Sequence, residues 1–245
     1  MQSIQNLMKF GLSRQESIIY ICLYQNGELT GYEAAKQTGI SRSNVYNTLA
    51  SLVEWGAAYI ADGSASKYVA VPIEEFCDNC IRRLDQAKES LINNLSKQHD
   101  WGESYITIAG NRHIQDKILN MLRGADKRIY LSAPQQIVRV LSGELTALIE
   151  KGIKVVLIAD ELPKGIPVKK EEEEGALFYR ADGENVQYRQ KQIRLIIDST
   201  HVLTGDVGGS SSDTCLYSNQ KNFVSVFKEA MHNEIKLIEL ADRKV

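Results

Sequence analysis

Between Ser41 and Asn47 the chain reads Ser-Arg-Ser-Asn-Val-Tyr-Asn, polar side chains broken by a single valine. Spaced on a helix, a guanidinium, hydroxyls, carboxamides and a phenol contact base edges and phosphates rather than make or break bonds. The N-terminal residues of the second helix of a helix-turn-helix meet base edges in the major groove. Ser41, Arg42, Ser43, Asn44 and Asn47 are therefore the candidate contacts to bases or nearby phosphates. Tyr46 would meet a phosphate or the apolar flank of a base.

Three other groups of residues could carry chemistry. Cys77 and Cys80 form a C-x-x-C, which invites a zinc or redox reading. No second Cys or His pair stands at metal spacing, and Phe76, Ile81 and Leu84 make the flanks helical, so packing on a helix seam is expected and no metal or other cofactor is assigned. Lys67, between Ser66 and Tyr68, could reach a phosphate. Ser132, Asp160, Glu161, Asp198 and Asp206 stand near the ends of apolar runs, where open α/β sheets bind ligands. So many acids suit a hydroxyl-rich or cationic ligand better than a phosphate.

The elements that would hold these residues are legible from capping and periodicity. Gly39 occupies the position that favours a left-handed residue at a helix end, and Ser41 offers a hydroxyl to the free N–H groups that follow. Ile40, Val45, Leu49 and Leu52 turn inward together. Upstream, Ile4 to Phe10 mark a helix stopped at Gly11. Ser13 with Glu16 and Thr30 with Glu33 are capping boxes that open the next two helices. Downstream, 57–61 and 67–71 flank an Asp62-Gly63 turn and read as a β-hairpin. Helices followed by a hairpin make a winged helix over residues 1–71, with the hairpin as the wing.

A helix from Ile73 to about His99 follows, with Cys77, Cys80, Leu84, Ala87, Leu91 and Asn94 on alternating spacings of three and four. That heptad pattern predicts a linker and dimerisation helix over residues 72–101, with Asn94 able to set register. From residue 102 to 245 strands alternate with helices: strands at Tyr105–Ile108, Arg128–Ser132, Ile153–Ile158, Ala176–Tyr179, Ile193–Asp198, Val202–Gly205 and Thr214–Tyr217. Helices are expected around Ile114–Leu122, through Ile137–Ile149, and from about Asn222. The apolar run Ile153–Ile158 has the character of a buried parallel strand. Lys169–Glu174 reads as a solvated connector.

Composition bounds the function. Of 245 residues, 43% are hydrophobic and 24% charged, the balance of an ordinary globular protein. Net charge is −2. In the first 70 residues Lys9, Arg14, Lys36, Arg42 and Lys67 balance Glu16, Glu28, Glu33, Glu54 and Asp62. Phosphate contacts supply much of non-specific affinity, so weak non-specific binding and dependence on dimerisation are expected. No run resembles a signal peptide or reaches the ~20 apolar residues of a membrane span, and a cytoplasmic location without membrane contact is the default.

The turn and recognition helix, AAKQTGISRSNVYNTL, followed by a wing, a helical linker and an α/β domain, resembles the TrmB family of transcriptional regulators. The most specific part is the G-x-S-R-S-x-V-Y run from Gly39 to Tyr46. The resemblance implies an α+β multidomain chain: winged helix, coiled-coil linker, and effector-binding α/β domain. It implies a homodimer on double-stranded operator DNA, and a small-molecule effector, a sugar in the best-known members.

The C-terminal domain is similar to the phospholipase D fold, whose chemistry rests on H-x-K-x-x-x-x-D followed by G-S-x-N. With Asp198 on the motif Asp, Lys191 falls where His belongs and Ile193 where Lys belongs. Gly205 matches the second motif, but Asp206 stands for its Ser and Gly208 for its Asn. Without an imidazole nucleophile there is no covalent phosphoryl intermediate. The expected function is a homodimeric DNA-binding regulator reading a roughly palindromic site, with effector binding tilting the linker helices, and not an enzyme. The alternatives are a phospholipase-D-like phosphodiesterase fused to a winged helix, and a winged helix that docks on protein.

Overall fold

The computed structural model describes residues 1–61, 66–95, 104–161, 165–167, 176–180, 191–210 and 212–242. The Asp62-Gly63 turn, the last turn expected toward His99, Asp100–Gly102 and the Lys169–Glu174 run lie outside the described residues. Contacts divide the chain into two units, Met1–His99 and Asp100–Val245. Among the described residues no helix is long and apolar enough to cross a membrane.

The first unit contains α1 (Gln2–Lys9), α2 (Arg14–Asn26), β1 (Leu29–Thr30), α3 (Gly31–Thr38), α4 (Arg42–Glu54), β2 (Ala58–Ala61), β3 (Lys67–Ala70) and α5 (Ile73–Asn94). Both capping boxes form in full. Ser13 Oγ accepts from Glu16 N at 3.2 Å while the Glu16 carboxylate accepts from Ser13 N at 2.6 Å. Thr30 and Glu33 do the same at 3.2 and 2.8 Å. Gly39 closes α3 at φ +71°, the left-handed turn that lets the chain reverse into α4. Ile19, Leu23, Ala34, Val45, Leu49, Leu52 and Phe76 fill the core. The Tyr20 hydroxyl donates to the Val71 carbonyl at 2.7 Å, tying the central helix to the end of the hairpin.

Three details differ from the sequence reading. Ser41 makes no side-chain cap: α4 opens on backbone alone, Val45 N donating to Ser41 O at 3.0 Å. The hairpin gains a third strand, because β1 pairs with β3 at Leu29↔Tyr68 and Thr30↔Lys67. The residues expected on one seam of α5 are also split between core and surface. Cys80 is buried in the unit's own core and Cys77 packs against it, so those positions are already used. The exposed apolar residues instead run Ile81, Leu84 and Leu91, with Lys88 in register and Leu95 just past the helix end, 49 to 66% exposed. Ala87 and Asn94 lie off that stripe.

The second unit contains β4 (Tyr105–Ala109), α6 (Asn111–Arg123), β5 (Arg128–Ser132), α7 (Gln135–Val140), α8 (Ser142–Glu150), β6 (Lys154–Ala159), β7 (Ala176–Arg180), β8 (Gln192–Ile197), β9 (His201–Asp206), β10 (Thr214–Ser218) and α9 (Lys221–Asp242). One seven-stranded sheet has the order β4-β10-β9-β8-β5-β6-β7. β6 is parallel to both β5 and β7, as its unbroken apolar run implies, while the other pairings are antiparallel. The sheet is buried on both faces. Ile114, Ile118, Leu122 and Leu145 from α6 and α8 cover Ile129, Leu131, Leu157 and Leu195. Val224, Met231 and Ile235 of α9 cover Val156, Ile158 and Ile196 on the other face. The single helix expected through Ile137–Ile149 is two, because the Ser142 hydroxyl takes the Arg139 carbonyl at 2.8 Å and the chain turns at Leu141.

Candidate functional site

The α4 helix sorts its residues cleanly. Val45, Thr48, Leu49 and Leu52 are buried, whereas Ser41, Arg42, Ser43, Asn44, Tyr46 and Asn47 are all exposed on the side away from the core. Thr48 owes its burial to a hydroxyl that donates to the Asn44 carbonyl at 2.8 Å. The six candidate contact residues therefore share one solvent-facing, hydrogen-bonding surface at the start of the helix.

Two neighbours that sequence spacing did not single out shape this surface. The Arg42 guanidinium lies over the Tyr32 ring, 4.3 Å from its centroid, so a long cationic side chain is held rather than left to wander. The Tyr46 ring packs against Gly31, where a β-carbon would stand 2.6 Å from it. Both partners come from the first turn of α3, a dozen or so residues away along the chain. No local motif links them to α4.

Lys67 sits on β3 opposite Thr30 and Ala61. Its ammonium is 3.4 Å from Glu28 Oε2, both side chains about half exposed. The wing lysine is thus held by an acid at the end of the hairpin nearest its turn.

The five acid and hydroxyl residues expected to line an effector crevice do not form one. Antiparallel pairing sets Ile129 against Ile197 and Ser132 against Arg194, so Asp198 lies at the start of β5 and Ser132 at its end. Four residues of strand separate the two levels, roughly 13 Å. Asp198 is committed to the backbone: its carboxylate accepts N–H groups from Asp126, Lys127 and Arg128 at 2.7–2.8 Å. Burial works to raise that carboxyl, but the three amides outweigh it and hold it below the usual carboxylate range. Its left-handed backbone, φ +52°, lets the turn fold the carboxylate back onto β5.

Ser132 is buried under α9. Arg194 donates to its hydroxyl at 3.4 Å and pairs with Glu234 of α9 at 2.8 Å, which joins sheet to helix. Asp160, Glu161 and Asp206 do share the opposite end of the sheet from Asp198. Glu161 is engaged there by Arg139 at 3.8 Å and by Gln135, whose side chain accepts its N–H. Asp206 on β9 is three strands from β6, about 14 Å across the sheet. Only Asp160 and Glu161 are adjacent. At the phospholipase-like positions, Ile193 is fully buried and Lys191 packs its chain along Gly208.

A family model described as the sugar-specific transcriptional regulator TrmB matches residues 7–74. A second, described as transcriptional regulator TrmB, EBD N-terminal subdomain, matches residues 105–229. Among curated proteins, the uncharacterized protein YrhO of Bacillus subtilis is 33% identical over 159 residues, 62% of this chain and 57% of its own length. The HTH-type sugar sensing transcriptional regulator TrmBL1 of Pyrococcus furiosus is 26% identical over 165 residues, 65% of this chain and 48% of its own length. The chain thus spans about half the length of the curated relatives it matches. Among solved structures it is similar to TrmBL2, described as an archaeal chromatin protein, at 18% identity and TM-score 0.43, covering 95% of this chain and 96% of that one. It is also similar to NucT from Helicobacter pylori, at 11% identity and TM-score 0.42, covering 56% and 97%.

Proposed function

This chain belongs to the TrmB family of transcriptional regulators, and from that premise we propose that it binds operator DNA as a homodimer under the control of a small-molecule effector. The observation that carries the reading is the continuous polar face of α4, from Ser41 to Asn47, exposed on a helix whose other side is fully buried. Laid in the major groove, Arg42, Ser43, Asn44 and Asn47 meet base edges and phosphates, with Tyr46 at the flank. Lys67 meets the backbone beside the groove.

Dimerisation is supported by α5. Its outward Ile81, Leu84, Lys88, Leu91 and Leu95 repeat on three-four spacing, the seam of a two-helix coil, and an exposed apolar stripe of this kind calls for a partner. A pair of winged helices then reads a roughly palindromic site with half-sites about one helical turn apart. The effector acts through the second unit by binding two states of the dimer with different affinity. We read that unit as non-catalytic: Lys191 and Ile193 occupy the places of a nucleophile and of a phosphate-steadying lysine, and neither does that work.

Gel retardation of the intact protein on the DNA upstream of its own gene, at two salt concentrations, tests the proposal. A retained complex that weakens with salt and is competed poorly by unrelated DNA supports it. No retention even at low salt sinks the DNA reading and leaves docking on another protein. Turnover of bis-p-nitrophenyl phosphate would overturn the non-catalytic reading.

A further inference from the structure

At the Asp198 end of the sheet, between the last turns of α6 and the adjoining ends of β8, β9 and β10, lies a cavity of about 210 Å³. Its lining includes Lys117, Asn120, Met121, Ile197, His201 and Tyr217. None of these belongs to the acids discussed above.

Lys117 is half-buried, its ammonium 3.6 Å above the centre of the Tyr217 ring. Among the described residues no carboxylate lies within ion-pair distance of it. Desolvating an ammonium without a counter-charge is unfavourable, and burial pushes this lysine below its ordinary pKa. An aromatic face compensates in part; an oxyanion would do so fully.

His201 supplies the opposite capacity. Its ring stacks on Tyr217, with centroids 5.9 Å apart and planes at 17°. Burial, and then the charge on Lys117, keep its pKa below the ordinary value, so it is neutral near pH 7. The Thr200 hydroxyl oxygen lies 3.2 Å from the Ile197 carbonyl and 2.8 Å from His201 Nδ1; when the hydroxyl donates to the carbonyl, Nδ1 is the donor to its lone pair. With the proton on Nδ1, Nε2 carries a lone pair and accepts from a hydroxyl. The Asn120 side chain can both donate and accept. One wall is apolar, from Met121 and Ile197.

We propose that this cavity binds a small hydroxylated acid, its carboxylate or phosphate on Lys117 and a hydroxyl on His201 Nε2. The volume suits a ligand below drug size, for which pockets begin near 300 Å³. The inference deepens the effector reading and rests on it for the regulatory consequence alone, not for binding.

Titration calorimetry of the full chain with glycerol phosphate, glycerate, glycerol and inorganic phosphate tests it. One or both hydroxylated acids should bind more tightly than glycerol or phosphate, and which of them binds identifies the oxyanion. Affinity should fall about tenfold in Lys117→Gln and again in His201→Phe, the loss of one charge-assisted and one neutral hydrogen bond. Far-UV circular dichroism checks folding, and if Lys117→Gln does not fold, His201→Phe decides. No heat with either acid, glycerol binding as tightly as both, or undiminished binding in a folded variant overturns the proposal. Gel retardation with the same probes separates the two readings. Binding that changes operator affinity makes this the effector site. Binding that leaves retardation unchanged keeps the site and removes its regulatory role. No acid binding, alongside operator release by some other metabolite, overturns the site and keeps the effector reading.

Discussion

The ring of Tyr46 lies over Gly31 at a separation that no β-carbon at Gly31 could share, 2.6 Å against ordinary contact beyond 3.4 Å. Two successive helices thus meet through one aromatic face and one bare α-carbon. Tyr46 is 48% exposed, so its ring has solvent to move into. Gly31→Ala should therefore cost about 1 kcal/mol or less in urea denaturation, at the mild end of overpacking, and yet weaken operator binding by displacing Tyr46. In the Tyr46→Ala background, adding Gly31→Ala should bring no further loss of binding, since contacting sites do not add. Additive losses would show that Gly31 acts by another route.

Arg42 and Tyr32 form a second testable pair. Arg42→Ala should weaken binding to the cognate operator by ~1–3 kcal/mol if the contact is a bidentate base pair. Tyr32→Ala should cost less, about 0.5–1 kcal/mol, because it removes only the ring that holds the guanidinium. In the Arg42→Ala background the Tyr32 substitution should be silent. Full affinity in Arg42→Ala would remove it from base recognition.

Leu91 lies at the middle of the outward stripe on α5. Leu91→Asp places a charge in the seam and should convert a dimer to a monomer in sedimentation velocity, with operator affinity falling in step. Cys77→Ser, on the side packed against the unit's own core, should leave the oligomeric state unchanged. A wild-type protein that sediments as a monomer at operator-binding concentrations would refute the seam.

Asp198 ties stability to pH. Its folded pKa lies below the ordinary 3.8, so its contribution is fully present above the unfolded value and is lost as pH falls through the folded one. Asp198→Ala leaves three backbone N–H groups without their acceptor and should cost roughly 1–3 kcal/mol in urea unfolding at neutral pH. The gap between wild type and variant should narrow steadily below pH 3.8 as the wild-type carboxyl protonates. A gap independent of pH would mean that the left-handed turn, not the charge, does the holding.

What could be read from sequence was what is local. Ser13 with Glu16, and Thr30 with Glu33, are each three residues apart, and the hydrogen bonds they imply are present. Gly39 ends α3 as its lack of a β-carbon suggests. The polar surface of α4 follows from the alternation of Val45, Leu49 and Leu52 with what lies between them. Asp198 was legible as an acid at a strand end, but its partners lie some seventy residues earlier in sequence, across a strand pairing that periodicity does not encode. The same holds for Ser132: nothing near it announces that Arg194 and Glu234 will close over it. Cys77 and Cys80 fit a heptad rule in sequence and yet face their own core, because the spacing is the same for both kinds of packing. Tyr32 and Lys117 carry no signal in sequence for one reason: each gains its meaning from a ring or cation brought to it by tertiary structure.

The pairing of Lys67 with Glu28 bears on how steeply DNA affinity should respond to ionic strength. A lysine that leaves an acid for a phosphate displaces a condensed cation from the duplex, but it also exposes Glu28, which recruits a cation of its own. Counted as log K against log salt, where each neutralised phosphate adds about −0.9, this lysine should contribute well under one unit. A wing built this way adds geometry to recognition while adding little unspecific adhesion. Substituting Glu28 with Gln should steepen the slope and raise affinity for random DNA more than for the operator.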